Sequence, residues 1–402
     1  MTGFRYQDTA ITLARIGVVG MAASMPISRA MFNVSAALMI LGWVLSGDWR
    51  GKWSAVRNNG AAVTCLLFFS FCAISLSWVD RPTADHWKQL QDYSRLLYAP
   101  IIMTLLRTEP WQRRAWSALI AGLITLLAVY LLDIWFEVPW TATYGSNSAG
   151  QGAFYHHISQ GMALSFLGAY ALHLAIQGQG LSFGRVFWLA TAVAILAGLI
   201  LVGQSRTGQL SVMLAYFIVA IAHFPRRMKL QGWLLALLAG GLLLLSSTHM
   251  RERFTLAFEE VSSFQQDGER TSVGARLKAW EFSAGQIEQA PWLGHGIGSY
   301  RPLAYQHFAQ SSICTLGVCD QPHNQFILSA VEGGALGSLA WLALLVAPLL
   351  ARNRQHATAP RLVLPFLAIV VVTACFDSIL QIQGQSFFFV TTLGLLMASR
   401  RA

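Results

Sequence analysis

Apolar residues run along this chain in long blocks separated by short polar joints. A block of about 17–25 such residues carries an α-helix across a hydrocarbon core of about 30 Å. The blocks fall near 10–28, 30–46, 60–79, 94–106, 115–136, 158–177, 186–203, 208–223, 231–247, 324–350, 361–380 and 386–398. No segment shows the in–out alternation of a membrane barrel strand. The pattern therefore predicts an all-α polytopic membrane protein of about twelve transmembrane helices. The first block is followed by further spans and lacks a small-residue cleavage site, so it reads as a first helix rather than a removed leader. Between the ninth and tenth blocks lies the only sizeable hydrophilic segment. It divides the chain into helices one to nine (1–247), a loop domain (248–323) and helices ten to twelve (324–402).

Composition agrees with a membrane solvent: 55% of residues are hydrophobic, 11% are charged, and mean hydropathy is +0.49. The net charge of +10 and pI near 9.7 raise the question of an anionic partner. The basic joints "GDWRGKWSAVRNNG", "RTEPWQRR", "FPRRMK", "ARNRQHATAPR" and "SRRA" all fall on one side when both termini are cytoplasmic. Positive-inside anchoring then explains most of the charge without nucleic acid.

On this topology the 248–323 loop is external. Two stripes in it have helical spacing: Phe254, Phe258, Val261 and Phe264, then Leu277, Trp280, Ala284 and Ile287. Each suits a helix lying on the bilayer surface or packed on the helix tops. A second external loop, 137–157, is rich in Gly, Ser and Asn. Cys314 and Cys319, in "CTLGVC" just before His323, are either a disulfide, which needs an oxidising side, or free thiols. Cys65, Cys72 and Cys375 lie inside apolar blocks and read as small hydrophobes. No Cys/His spacing matches a zinc site.

The informative cations are those outside the basic joints. Arg206, in the short external turn "GQSRTGQL", either faces a water-filled cavity or a partner anion, or snorkels to headgroups. Gly203 and Gly208 beside it permit close helix approach. Arg276 and Trp280 are one helical turn apart, pairing a guanidinium suited to phosphate oxygens with an aromatic wall. A solvated surface charge is the plainer reading of Arg276, and still more of Lys278. The glycines of "GHGIGSY" follow no strand and mark a turn, not a dinucleotide fingerprint.

In "DQPHNQFILSAVEGG", His323 and Asn324 stand at the external mouth of the tenth block. Pro322 fits a first-turn position, which would put His323 at the positive end of the helix, either as a neutral, proton-accepting ring or as a structural histidine capping the helix. Asp377, in "ACFDSILQIQ", is a buried acid able to pair with an arginine or orient His323. His156 and His157 open the sixth block and line the same mouth. As neighbours on a helix they point in different directions, so joint metal binding is weak. Cations, an aromatic wall and a candidate base thus share one face, which suits a phosphate-bearing lipid. With no Asp-x-Asp pair there, arginines would meet a pyrophosphate's charge.

With "SRTG", "RLKAW...PWLGHGIGSY" and "PHNQFI" in view, the chain resembles the O-antigen ligases of Gram-negative bacteria, within a superfamily that includes O-antigen polymerases and protein O-oligosaccharyltransferases. The resemblance implies an inner-membrane glycosyltransferase with its active site facing the periplasm. It implies inverting, metal-independent transfer of a glycan from undecaprenyl pyrophosphate to lipid A-core, with no cofactor. By the same resemblance Arg206 and Arg276 bind and stabilise the pyrophosphate leaving group, and His323 deprotonates the acceptor hydroxyl. Trp280, Asp377, Asn324 and His156 are supporting candidates. A polymerase, or a ligase delivering glycan to protein, differs only in acceptor. An anionic-lipid transporter would instead show internal symmetry and polar residues at mid-membrane.

Overall fold

The computed structural model describes residues 2–136, 154–178, 180, 182–203, 205–223, 255, 272–309, 311–351 and 359–398. The described residues form helices and turns without a strand. The block at 231–247, the stripe from Phe254 to Phe264 and most of the 137–157 loop lie outside the described residues. The first helices are α1 (Thr2–Ser24), α2 (Arg29–Leu45), α3 (Trp49–Arg57), α4 (Gly60–Ser75) and α5 (Ala84–Ser94). Next come α6 (Tyr98–Leu105), α7 (Glu109–Trp135), α8 (His157–Gln177), α9 (Phe183–Ala197) and α10 (Arg206–His223). The last are α11 (Ser272–Gln289), α12 (Tyr300–His307), α13 (Gln325–Ala351), α14 (Ala359–Phe376) and α15 (Gln383–Met397).

Among the described residues, Gly60–Trp78, Glu109–Ile134, Phe183–Val202 and Gln325–Ala351 are long and apolar enough to cross a membrane. Helices α2 and α3, bent by 116°, make a fifth if counted as one broken span. Two expected blocks are corrected. The first helix runs Thr2–Ser24 rather than 10–28. The block at 94–106 is the eight-residue α6, about 12 Å long and too short to cross alone. It continues from polar α5 through a tight turn at Arg95–Leu97, so only its second half is apolar.

Helix α15 is the centre of the bundle, with every residue from Gly384 to Met397 buried. Most of it is apolar, as a helix without a wet face requires, and its buried polar residues are Gln385, Ser386, Thr391 and Thr392. Phe387 stacks on Phe32 of α2 with ring centroids 3.6 Å apart, and Phe389 packs near Trp341 of α13. Its buried C-terminal carbonyls are met by side chains: Asn59 donates to Met397 O (2.9 Å) and Gln112 to Ala398 O (3.1 Å). Apolar burial gains little in lipid, so close packing takes over. At the crossing of α8 and α10, a Cβ built on Gly161 would stand 2.8 Å from the Gly208 Cα.

The loop has a small core of its own: Ala275, Ala279, Phe282, Tyr300, Ile313 and Val318, closed from below by Leu328 and Val331 of α13. This core faces water from above, so each large side chain contributes about 1.5–3 kcal/mol by burial. The buried face of α11 runs through Ala275, Ala279, Phe282 and Ser283, which corrects the stripe expected through Leu277, Trp280 and Ala284. Ile287 of that stripe does pack against this core, whereas Ala284 is exposed.

Residues 291–298 fasten the loop to the bundle. Helix α13 breaks at Gly334 (φ 59°, ψ −150°), which removes the intrahelical bonds from Ala335 to Val331 and from Leu336 to Glu332. The loop replaces them group for group. His295 N–H donates to Val331 O (3.0 Å) and Gly296 N–H to Glu332 O (2.9 Å), while Ala335 N–H donates to Pro291 O (2.8 Å) and Leu336 N–H to Trp292 O (3.2 Å). A break inside a membrane helix survives only when its backbone groups are satisfied in this way. The three glycines of "GHGIGSY" have positive φ, and a Cβ on each would strike a neighbour: Glu332 for Gly294, Ser75 and Val79 for Gly296, His86 for Gly298.

Candidate functional site

The site grows from three helix starts at one end of the bundle. The first is α13. Asn324 is its cap, accepting from the N–H groups of Phe326 (2.9 Å) and Ile327 (3.1 Å). Its amide also donates to Cys375 O at the end of α14 (3.1 Å). Asn324 is therefore committed to holding two helices together. This corrects the expected helix start: Pro322 and His323 precede the cap, and His323 takes a left-handed φ of 50°. The physical reason is that Asn324 has the side-chain acceptor that orphan N–H groups require, whereas Pro322 has none.

That left-handed turn aims the His323 ring at Asp377. Nδ1 lies 3.4 Å from Asp377 Oδ1, with side-chain exposures of 18% and 3%. The carboxylate is braced by Ser378 N–H on Oδ1 (3.1 Å) and Gln385 Nε2 on Oδ2 (2.6 Å). With the proton on Nδ1, the ring donates to Asp377 and keeps the Nε2 lone pair for an incoming proton. Nε2 lies toward Gly317, 3.8 Å from where a Cβ would stand. Gly317 sits in the turn closed by a Cys314–Cys319 disulfide (S–S 2.01 Å). Tyr300 pins that turn by donating to Val318 O (2.7 Å).

The second start is α10. Ser205 Oγ caps it by accepting from Gly208 N–H (3.0 Å), and Arg206, exposed, is its first residue. A cation at the positive end of a helix is unfavourable by about 0.3–1 kcal/mol unless an anion joins it. The third start is α8. The Gly161–Gly208 crossing brings the beginnings of α8 and α10 together, and His156, at the cap position of α8, lies within the field of Asp377, His323 and Arg276. The rings of His156 and His157 lie 3.9 Å apart, which corrects the divergence expected of helical neighbours. His156 has left the helix, so its ring folds back over His157.

Arg276 closes the site from above on α11. Burial lowers its pKa, Asp377 opposes that shift and Arg206 adds to it, so the two arginines and the acid share one field. The ring of His156 keeps some solvent contact, yet the protein packed around it pushes its pKa below the ordinary value. Asp377 works against that shift, and His323 and Arg276 reinforce it. The Arg276 Nε–H is buried without a hydrogen-bond partner, an unmet donor at the centre of the group. Trp280, one turn along α11, donates its indole N–H to Pro322 O (2.8 Å). It thereby holds the residue before His323.

Sequence reasoning missed the 291–298 fastening and the polar face of α5. The first is a backbone effect, whose signal was the alternate glycines of "GHGIGSY". The second was visible as Asp85, Lys88, Gln89 and Asp92 at helical spacing.

Comparison with known proteins adds an independent line. A family model described as O-Antigen ligase matches residues 190–342. A Pseudomonas aeruginosa protein named O-antigen ligase is 26% identical over 285 residues, covering 70% of this chain and 62% of that protein. A Haemophilus influenzae protein, named only as uncharacterized, is 25% identical over 320 residues, covering 74% of each. The stretch over which the chain is similar to that O-Antigen ligase family carries Arg206, Arg276 and His323 together, the residues that the three helix starts and α11 gather into one field.

Proposed function

We propose that the protein is an O-antigen ligase: a bacterial inner-membrane glycosyltransferase that moves O-antigen polysaccharide from undecaprenyl pyrophosphate to lipid A-core on the periplasmic side. The observation that carries this reading is the His323–Asp377 pair set beside the buried, unpartnered Nε–H of Arg276. A base with its lone pair presented and a buried guanidinium with an N–H lacking an acceptor are the two halves of a displacement at a glycosyl pyrophosphate.

In this mechanism His323 Nε2 takes the proton of an acceptor hydroxyl while Asp377 holds the other ring nitrogen. The oxygen attacks the anomeric carbon, the bond from that carbon to the pyrophosphate oxygen breaks, and the configuration inverts. The leaving pyrophosphate carries its charge onto Arg206, Arg276 and the positive end of α10. His156, mostly neutral at pH 7 given its lowered pKa, supplies a hydrogen bond rather than another full charge. The chain crosses the membrane about twelve times with both termini cytoplasmic. The Cys314–Cys319 disulfide supports an oxidising environment for the loop.

The site lies at one end of the bundle, which favours transfer at a membrane face over transport through it. A polymerase or a protein O-oligosaccharyltransferase shares this chemistry and differs in acceptor. Purified protein given an undecaprenyl pyrophosphate glycan should form product only with lipid A-core, and His323→Ala should lose it by about 10²–10⁴-fold. Chain growth on the carrier without lipid A-core would make the protein a polymerase. Transfer should persist in EDTA; a loss restored by magnesium would overturn the arginine-only account of the leaving group.

A further inference from the structure

A second cleft, of about 250 Å³, opens on the same end of the bundle between α5, α12, the strand of chain leading to His323 and the turn between α14 and α15. None of its residues takes part in the chemistry above. Helix α5 contributes one whole face, Asp85, Lys88, Gln89 and Asp92, at the three- and four-residue spacing that brings side chains into line. Opposite stand Arg301, Asp320, Gln321 and Gln381.

The lining has a definite chemical preference. Three carboxylates against two cations leave it slightly negative, so it does not attract phosphate. The carboxylates are also engaged by cations: Arg301 bridges Asp85 (2.8 Å) and Asp320 (3.0 Å), and Asp92 pairs with Arg95 (2.5 Å). This works against a divalent ion. The remaining groups are amides, which donate and accept from one planar head, as hydroxyl groups also do. Gln321 Oε1 is buried with no donor, a requirement that a ligand hydroxyl meets. The floor is rigid, since Gln381 donates to Gln89 (2.6 Å) and Gln89 in turn to Glu332 of α13. Tyr305, 41% exposed, bonds Asp320 (3.2 Å) and sets an aromatic face beside these polar groups. Small-molecule pockets run to about 300–1,000 Å³, so this one suits a single ring rather than a polymer.

Its position fits the same ligand. Gln321 is two residues from His323 and Gln381 four from Asp377. At about 3.3–3.6 Å per residue, Gln321 lies within about 7 Å of the histidine along the chain. We propose that this cleft is a carbohydrate subsite that seats one sugar ring of a glycan substrate next to His323. The binding of a sugar follows from the lining; which sugar arrives there rests on the ligase reading.

Saturation-transfer NMR on the purified full-length protein in nanodiscs tests this without turnover. The two probes are core oligosaccharide released from lipopolysaccharide and repeat-unit oligosaccharide freed from its carrier. One of them should bind, and Asp85→Ala and Lys88→Trp should each weaken it at least about tenfold. Lys88 is exposed, so a bulky residue there fills the mouth of the cleft without entering the core, and an unchanged melting temperature verifies that. Loss of the core oligosaccharide assigns the ring to the acceptor, and loss of the repeat unit assigns it to the donor. If neither probe binds, or both variants bind as wild type does, the subsite is overturned. Sugar binding by a protein that transfers no glycan would sink the ligase reading and leave the subsite standing. Normal transfer by Lys88→Trp, with KM unchanged for both substrates, would sink the subsite alone.

Discussion

The hydrogen bond from Trp280 to the Pro322 carbonyl crosses from α11 to the residue before His323, so a change at position 280 reaches the histidine through one peptide unit. Trp280→Phe keeps the ring and deletes only the N–H. A neutral hydrogen bond is worth about 0.5–1.5 kcal/mol net, so kcat should fall about two- to tenfold with KM for donor and acceptor unchanged. Steady-state kinetics with both substrates check this, and an unaltered kcat would remove Trp280 from the positioning of His323. At this scale the sequence was informative about residue type and weaker on geometry. Asp377 was readable as a buried acid near His323 because nothing in an apolar block explains a carboxylate. The role of Asn324 was hidden because choosing between Pro322 and Asn324 as the helix start turns on a single side-chain acceptor. The ring of Trp280 suggested stacking, while its polar atom decided its place.

At the scale of elements, α5 meets the loop through backbone contact. A Cβ on Gly298, whose φ is +78°, would stand 2.4 Å from the His86 Cα. Gly298→Ala adds about 1–2 kcal/mol of left-handed strain to that clash. It should lower the melting temperature in detergent and loosen α5 in hydrogen exchange; intact protection of residues 84–94 would contradict it. His86 gives the same joint a pH dependence. Its Nδ1 accepts from Thr83 N–H (3.0 Å) at the start of α5, and burial holds its pKa below 6.5, against the pull of Asp85. Between that lowered value and 6.5 the unfolded chain binds more protons than the folded one. Stability from this group is thus full above pH 6.5 and is lost as pH falls toward the folded value. Thermal unfolding from pH 7.5 to 5 should show this slope, and His86→Gln should flatten it. The four long apolar helices were legible in the sequence to within about six residues at each end, the largest miss being the start of α7 at Glu109 rather than 115. The break at Gly334 was not, because a Gly-Gly pair in an apolar run also reads as ordinary helix packing.

Across the whole molecule two cores meet, and different forces hold them. The bundle around α15 is packed in an apolar solvent, whereas Phe282, Tyr300 and Ile313 are buried from water. Reduction should therefore act on one core only. The disulfide closes a five-residue separation, for which chain entropy predicts about 2 kcal/mol. Cys314→Ser with Cys319→Ser should raise hydrogen exchange across residues 312–323 and reduce transfer, while the unfolding of the spans stays where it was. A single shifted transition for the entire chain would show the two cores to be one cooperative unit. No window of the sequence reports this division, because Leu328 and Val331 belong by composition to the span and by packing to the loop.

The bonds exchanged at Gly334 also fix one wall of the approach to the histidine. Lifting residues 291–296 would strand two amide N–H groups and two carbonyls of α13, along with their partners, at the rim of the bilayer. That segment is a fixed sill. On the ligase reading proposed above, a glycan much longer than the site is wide would have to slide over it, with its carrier drawn in sideways from the lipid, and the pace of each cycle would depend on threading at a rigid threshold instead of the swing of a gate.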